Sequence, residues 1–370
     1  MKVAVLANLK KNAPHWAGMP DDQWDDLDSA VTVNAIVDIL ADAGHQAEFF
    51  EASIEEPYNL VEKLERYRPD LCFNIAEGHW GDSREAQVPA ILEMMRLPYT
   101  GAKLLALSLA LDKPMTKRIL YYHGLPTPEF QTFEHPDEPI DVDLLDIAHR
   151  ELRYPLFVKP SREGTSVGVS ADSIVHTVAE LREQIALQLA RYNQPIMAEH
   201  YVKGRELTVG MVGNLEPTQS ARRINDRGYT DMLPDTLTFF PALEVNTAMY
   251  GDSEAGLYTN KMKVELADTF HYSCPAPISA EQERLLQVLA ATVFRVIGCK
   301  DVSRVDFRLD ESQDNKPYIL EVNPLPGLNP GYSDLCLEAE AAGWSHSRLI
   351  MTIVEMACKR HNIPIEVPVV

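Results

Sequence analysis

Val302-Ser303-Arg304-Val305-Asp306-Phe307-Arg308-Leu309, a polar turn through Asp310 to Lys316, and then Tyr318-Ile319-Leu320-Glu321-Val322-Asn323 form the stretch on which the fold of this chain turns. Apolar and polar residues alternate with period two in both runs, which predicts paired strands with one buried face. Val305, Phe307 and Leu309 are assigned to the core and Arg304, Asp306 and Arg308 to the opposite face; in the second run Leu320 and Val322 face inward, Glu321 and Asn323 outward. A symmetric turn sets Asp306 across from Glu321. Two carboxylates opposed on an antiparallel pair are destabilising unless positive charge intervenes. A divalent cation is the simplest source of it, and oxygen donors without His or Cys nearby point to Mg²⁺ or Mn²⁺, with Mg²⁺ usually recruiting phosphate to complete its shell. The competing reading is a solvated hairpin face.

Upstream, Phe157-Val158-Lys159-Pro160-Ser161-Arg162-Glu163-Gly164-Thr165-Ser166-Val167-Gly168 reads as a strand that reaches a lysine and opens into a loop of small residues. Small side chains let backbone N–H groups approach an anion and the lysine adds a point charge, so the segment predicts a phosphate cradle. Neither GxxxxGK[ST] nor GxGxxG occurs, which removes a Walker A loop and a dinucleotide fingerprint. Gly164 to Gly168 does match GxSxG. That nucleophile elbow needs a strand directly before it and a helix directly after, whereas polar residues precede this one and Val169-Ser170-Ala171-Asp172 follow.

Toward the N-terminus the pattern alternates strand and helix: strands at Lys2–Ala7, Gln46–Phe50 and Asp70–Ile75, helices at Ser29–Ala43, near Asn59–Arg68 and through Met94. This is a βαβ signature and implies a parallel sheet. Ser29 is placed as an N-cap and Gly44 as the stop that follows the helix. One helix is predicted from Ala102 through Tyr122, ended by Gly124. Beyond it come a strand at Pro155–Lys159, a helix at Val175–Tyr192, a strand at Pro195–Val202, and short strands from Gly204. A helix at Ala280–Ile297 precedes the hairpin and one at Ser347–Arg360 follows it. The chain divides on this reading into residues 1–110, 111–205 and 206–370.

With 370 residues, 45% of them hydrophobic and 24% charged, the composition is that of an ordinary globular protein with room for a large core. The balance of 34 Lys and Arg against 55 Asp and Glu gives a net charge of −21, whose field repels nucleic acid and anionic lipid. Five cysteines without a CxxC pair form neither a disulfide framework nor a zinc site and fit a reducing compartment. The longest apolar run, Leu104 to Leu111, falls far short of the roughly 20 residues that span a bilayer. With no signal-peptide pattern at the start, a cytoplasmic location is expected.

The order of Leu111-Asp112-Lys113, the Lys159-to-Gly168 loop, Arg304-Val305-Asp306 and Glu321-Val322-Asn323-Pro324-Leu325-Pro326-Gly327 resembles the D-alanine–D-alanine ligases of the ATP-grasp superfamily. The resemblance extends to Leu97-Pro98-Tyr99-Thr100-Gly101 and Cys274-Pro275-Ala276 and covers nearly the whole chain. It implies an α/β (α+β) ATP-grasp fold, with a parallel βαβ domain on the substrate side followed by two α+β domains that clamp ATP. It also implies ATP and Mg²⁺ as cofactors, amino-acid substrates and, by analogy, a homodimer. Lys113 and Lys159 match lysines on the ATP phosphates, with Glu163, Thr165 and Ser166 in the closing loop. Glu199, Tyr201 and Val202 match the adenine hinge, and Glu206 the ribose-holding carboxylate. Lys263 matches a mobile-loop lysine at the terminal phosphate, and Arg304 a stabiliser of the tetrahedral oxyanion. Asp306, Glu321 and Asn323 match the magnesium ligands, the same residues that the charge argument singles out.

The substrate end departs from the family. Glu77-Gly78 stands where the family has His-Gly, Tyr332 or the adjacent Ser333 occupies the place of a substrate-carboxylate serine, and Val264 replaces the mobile-loop tyrosine. The family's ammonium-binding glutamate corresponds to the region of Asp25 or Asp28. Three readings follow. One is a D-alanine–D-alanine ligase, another is a natural-product ligase with the same chemistry and different acceptors, and the third is a nucleotide-binding sensor without catalysis.

Overall fold

The computed structural model describes residues 1–140, 154–216, 233–246 and 272–365. Lys2–Ala7 (β1) pairs in parallel with Gln46–Glu51 (β2) on one side and Leu71–Asn74 (β3) on the other. From Val3 onward β1 is wholly buried, as its unbroken apolar run requires of a parallel strand covered on both faces. Ala30–Asp42 (α1) starts at Ser29, whose hydroxyl accepts the Thr32 N–H at 3.4 Å, and Gly44 follows its end with φ +82°. Leu60–Tyr67 (α2) and Gln87–Met95 (α3) complete the unit.

Where one helix is expected from Ala102 to Tyr122 there are two, Leu104–Leu111 (α4) and Lys113–Tyr122 (α5). Asp112 breaks them apart. Its backbone is extended (ψ 92°), its side chain accepts the Met115 N–H at 2.9 Å, and Pro114 sits in the first turn of α5, where a missing N–H costs nothing.

A four-stranded antiparallel sheet follows, built from Phe130–Phe133 (β4), Leu156–Pro160 (β5), Ile174–Val175 (β6) and Ile196–His200 (β7) in the order β4-β7-β5-β6. Val178–Tyr192 (α6) packs on it. Val175 belongs to β6 rather than to the helix, because Thr177 caps α6 by accepting the Glu180 N–H.

The third sheet contains Gly204–Gly213 (β8), Leu237–Phe239 (β9), Leu243–Val245 (β10), Tyr272–Ser273 (β11), Asp301–Asp310 (β12) and Lys316–Asn323 (β13), in the order β11-β10-β8-β12-β13 with β9 also on β8. Ala280–Ile297 (α7), Asp334–Ala341 (α8) and His346–His361 (α9) complete the described elements. Leu286, Leu289 and Phe294 of α7 share one apolar cluster with Val305, Phe307 and Ile319 of the sheet and with Ala106 and Leu107 of α4. The last helix returns to the first sheet, where Leu349, Ile353 and Val354 pack with Val3, Val5 and Leu71.

The β12–β13 register sets Asp306 opposite Glu321, as alternation predicts. The core assignment of Leu320 is corrected. The register shifts between Asp306 and Phe307, so that Phe307 pairs with Ile319 and Leu320 is skipped. A bulge places two consecutive residues on one side of a strand. Ile319 is therefore buried in the core, while Leu320 joins Glu321 on the wall of a recess.

Candidate active site

The ends of β3 and β5 and the outer faces of β8, β12 and β13 converge on one cleft of about 220 Å³. Glu77 reaches it from just beyond β3, Gly164 to Ser166 from the loop after β5, Glu206 and Thr208 from β8, Arg304 and Asp306 from β12, and Glu321 and Asn323 from β13. An adjoining recess is lined by Lys113, Lys159, Glu163, Ser166, Glu206, Arg308 and Glu321.

Positive charge intervenes between the opposed carboxylates. Arg304 grips Asp306 with Nε at 2.9 Å from Oδ1 and Nη2 at 3.0 Å from Oδ2, and the Asn323 amide donates to Asp306 at 2.8 Å. Lys113 Nζ lies 2.8 Å from Glu321 Oε1. Among the described residues no three His, Cys, Asp or Glu side chains gather as a metal cage. Two carboxylates and an amide nevertheless suit Mg²⁺, which is held by one or two protein carboxylates together with substrate phosphates.

Behind Arg304, Asp334 Oδ2 lies 3.2 Å from its Nη1. Burial opposes the guanidinium charge, but Asp306 and Asp334 outweigh it and hold Arg304 firmly protonated. Glu338 lies fully buried one turn further along α8, and burial pushes its carboxyl well up despite Arg304. It fits only because residue 210 is glycine: a Cβ there would stand 2.0 Å from Glu338 Oε2.

A lysine absent from the sequence-based candidates lies behind the recess. Lys117, one helical turn after Lys113 on α5, has a side chain only 1% exposed and lies 2.6 Å from Glu199, whose other oxygen is 2.7 Å from Lys159. Burial works to raise the Glu199 carboxyl, but the two lysines overcome it and hold it down at about 2. Glu199 is thus a buried anchor for lysines. The Arg308 guanidinium lies 5.8 Å from the centre of the Tyr201 ring, Val202 is buried, and Glu206 accepts from Arg308 at 2.6 Å.

In the loop after β5, Thr165 and Ser166 adopt φ +47° and +62° in succession. Positive φ is costly for a β-branched residue and persists only where surroundings impose it. Here the acidic stretch near the N-terminus does so. Asp22 accepts the Gly168 N–H at 2.9 Å, and Arg84 pairs with both Asp26 and Glu163 while donating to the Arg162 carbonyl at 2.7 Å. Trp16, Trp24, Trp80 and His79, with ring centres 5.4 to 5.9 Å apart, fasten that stretch to the segment carrying Glu77.

Of the predicted substrate residues, Glu77, Tyr332 and Ser333 line the cleft. Ser333 also accepts the Asn329 N–H at 3.0 Å. Asp25 pairs with Lys10, and the aspartate of its cluster that lines the cleft is Asp26. Lys263 and Val264 lie outside the described residues. Glu85, Arg84, Asp26, Lys117 and Asp334 are site residues that sequence reasoning missed. Lys117 had a signal in its i,i+4 spacing from Lys113.

Three sheets closing on one cleft, with lysines and opposed carboxylates facing across it, define the ATP-grasp class. A family model described as "D-ala D-ala ligase C-terminus" matches residues 119–232 and 240–355. The chain belongs to the D-alanine–D-alanine ligase family. It is 31% identical over 319 residues to the D-alanine–D-alanine ligase of Pelotomaculum thermopropionicum, covering 85% of this chain and 88% of that one. It is 32% identical over 336 residues to the uncharacterized protein y4sG of Sinorhizobium fredii, covering 89% and 88%. Its fold matches the crystal structure of D-alanine–D-alanine ligase from Bacillus anthracis complexed with ATP, with a TM-score of 0.68, 21% identity, and coverage of 98% and 99%.

Proposed function

We propose that this chain is an ATP- and Mg²⁺-dependent ligase that activates an amino-acid carboxylate as an acyl phosphate and couples it to the amine of a second amino acid, as the D-alanine–D-alanine ligases do. The observation that carries this reading is the placement of Asp306 across from Glu321 between the cleft lined by Gly164, Thr165 and Ser166 and the adjoining recess lined by Lys113 and Lys159. A carboxylate oxygen attacks the terminal phosphorus and ADP leaves; the amine then attacks the carbonyl, loses its proton, and phosphate departs.

Lys113 and Lys159 hold the phosphates, and Glu163, Thr165 and Ser166 cover them. Glu206 holds the ribose, Tyr201 and Val202 supply backbone and packing to adenine, and Glu199 fixes the lysines. Asp306, Glu321 and Asn323 hold Mg²⁺, which when bound offsets charge on the transferring phosphoryl group. Arg304, locked by Asp306 and Asp334, presents fixed positive charge to the tetrahedral oxyanion, where preorganised donors are most effective. The division at 1–110, 111–205 and 206–370, a cytoplasmic location and a homodimer belong to the same reading; light scattering checks the last.

Mg²⁺-dependent release of ADP that requires an added amino acid, with mass spectrometry of the product, tests the ligase. A D-alanine dimer as sole product fixes the family's own substrates. No ADP with any amino acid would leave a nucleotide sensor in its place.

A further inference from the structure

The Asp306 carboxylate has two claims on it. On the ligase reading it holds Mg²⁺ with Glu321 and Asn323, yet both of its oxygens are already engaged. Arg304 Nε lies 2.9 Å from Oδ1 and Nη2 lies 3.0 Å from Oδ2, and the Asn323 amide donates to the same Oδ2 at 2.8 Å. A dication and a guanidinium on one carboxylate repel each other, so a metal that settles on Asp306 loosens Arg304 from it. The Arg304 side chain is only 17% exposed, and a cation so enclosed is costly once it loses its acid.

A second acid faces the other side of the guanidinium. Asp334 Oδ2 lies 3.2 Å from Nη1, the nitrogen that the two Asp306 contacts leave unused. Asp334 opens α8 directly after Ser333, where the positive end of the helix favours a carboxylate. Packing sets its position. A Cβ at Gly210 would stand 2.4 Å from Leu335 Cδ1 and 2.0 Å from Glu338 Oε2, so the first turns of α8 lie directly against β8 at that residue. Gly210 is also the residue that pairs with Arg304 across β8 and β12. The start of α8 and the backbone of Arg304 are thus fixed to one another through a single glycine, independently of the ion pair.

We infer that Asp334 is a positioning residue for Arg304, the acid that keeps the guanidinium in place when Asp306 turns its charge to the metal. The inference rests on the ligase reading and deepens it, because it divides the work of two carboxylates: Asp306 serves the metal, and Asp334 retains Arg304 where the oxyanion forms. Without the Asp334 charge, Arg304 is left to Asp306 and competes with Mg²⁺ for it.

The test reads metal binding without turnover. Calorimetry on the full chain gives Kd for ADP in EDTA and in excess Mg²⁺, and the ratio of the two measures what the metal adds. Asp334→Asn should lower that ratio about fivefold or more, the scale of coupling between groups that share a partner. Kd in EDTA should change less than about twofold, which also reports that the variant is folded. In an Arg304→Gln background the same exchange should alter the ratio less than about twofold, since no guanidinium remains to compete for Asp306. An unchanged ratio in Asp334→Asn overturns the inference while leaving the metal on Asp306. An equal loss in both backgrounds does so too, because Asp334 then acts on the metal without Arg304. A ratio near one in the unmodified protein removes the metal from Asp306 and takes the inference with it.

Discussion

Behind the recess that Lys159 lines, Glu199 lies within 2.7 Å of both Lys117 and Lys159, whereas at the N-terminal end of the cleft Arg84 pairs directly with Asp26 and Glu163 and acts on Glu77 and Glu85 only through space. The first arrangement uses acid to hold base in place: a lysine ion-paired from behind keeps its position before a polyanion arrives, which reduces the ordering needed on binding. The second gathers four carboxylates, Asp26, Glu77, Glu85 and Glu163, around the one guanidinium of Arg84. Both ends are partly buried, so the difference lies in partnering rather than in solvent. On the proposed function, it separates a site for a ligand of fixed chemistry, the triphosphate, from the end that faces the amino-acid substrates.

Arg304 stands between the two ends, and the largest effect is expected there. Arg304→Ala should lower kcat by about 100-fold or more, the loss associated with removing one oxyanion donor, while KM for ATP changes less than threefold. Initial-rate kinetics over ATP concentration checks the split. Equal losses in both would place Arg304 on the nucleotide and merge the two ends. Glu338 behind it is a fully buried acid that Arg304 and the Gly210 backbone stabilise, and it is tolerated because β8 has no side chain at Gly210. Gly210→Ala should therefore destabilise the protein by about 1–3 kcal/mol through overpacking, read by chemical denaturation. An unchanged midpoint would mean that Glu338 moves freely and does not back Arg304.

Lys159→Met sharpens the contrast further. It removes one of the two lysines on Glu199 and should raise KM for ATP by about tenfold, the scale of one charge-assisted contact. Glu85→Gln should move KM for ATP less than twofold. Comparable shifts from the two variants would show that both ends contact the nucleotide.

Much of this site was legible in the sequence, and the illegible part has physical causes. The Asp306–Glu321 opposition followed from alternation and a symmetric turn, because strand period fixes which residues share a face. The bulge at Leu320 did not, since one skipped residue changes no residue identity and is fixed by what packs on either side. Lys113 and Lys159 were visible through their motifs. Lys117 was visible only as a helical neighbour, and its burial depends on Glu199, which follows it by more than eighty residues. Asp112 announced itself through Pro114, two positions on, yet helical patterns on both sides read as one continuous helix. The acidic stretch was the hardest. Nothing in its composition distinguishes Asp26, turned to Arg84 and the cleft, from Asp25, turned to Lys10, because a loop held by tryptophan packing has no period to read.

The smallest expected effect separates the two ends by pH. Burial raises the carboxyls of Asp28 and Glu85 to about 7 from ordinary values of 3.8 and 4.5. Between those limits the folded state binds more protons than the unfolded one, so stability at this end falls as pH rises from about 4 to 7 and is regained on acidification. Glu199 has the opposite sign. Held at about 2 against an ordinary 4.5, it contributes stability that is present above 4.5 and is lost only as pH falls toward 2. Taking the protein from pH 7.5 to 5.5 should thus increase amide protection around residues 22–28 and 77–86 by roughly several-fold, once intrinsic exchange rates are corrected, while residues 113–117 and 196–200 stay constant. Hydrogen exchange read by mass spectrometry resolves these segments. Parallel changes in both would mean that the acidic end is neutralised by partners of its own, and the charge contrast between the two ends would disappear.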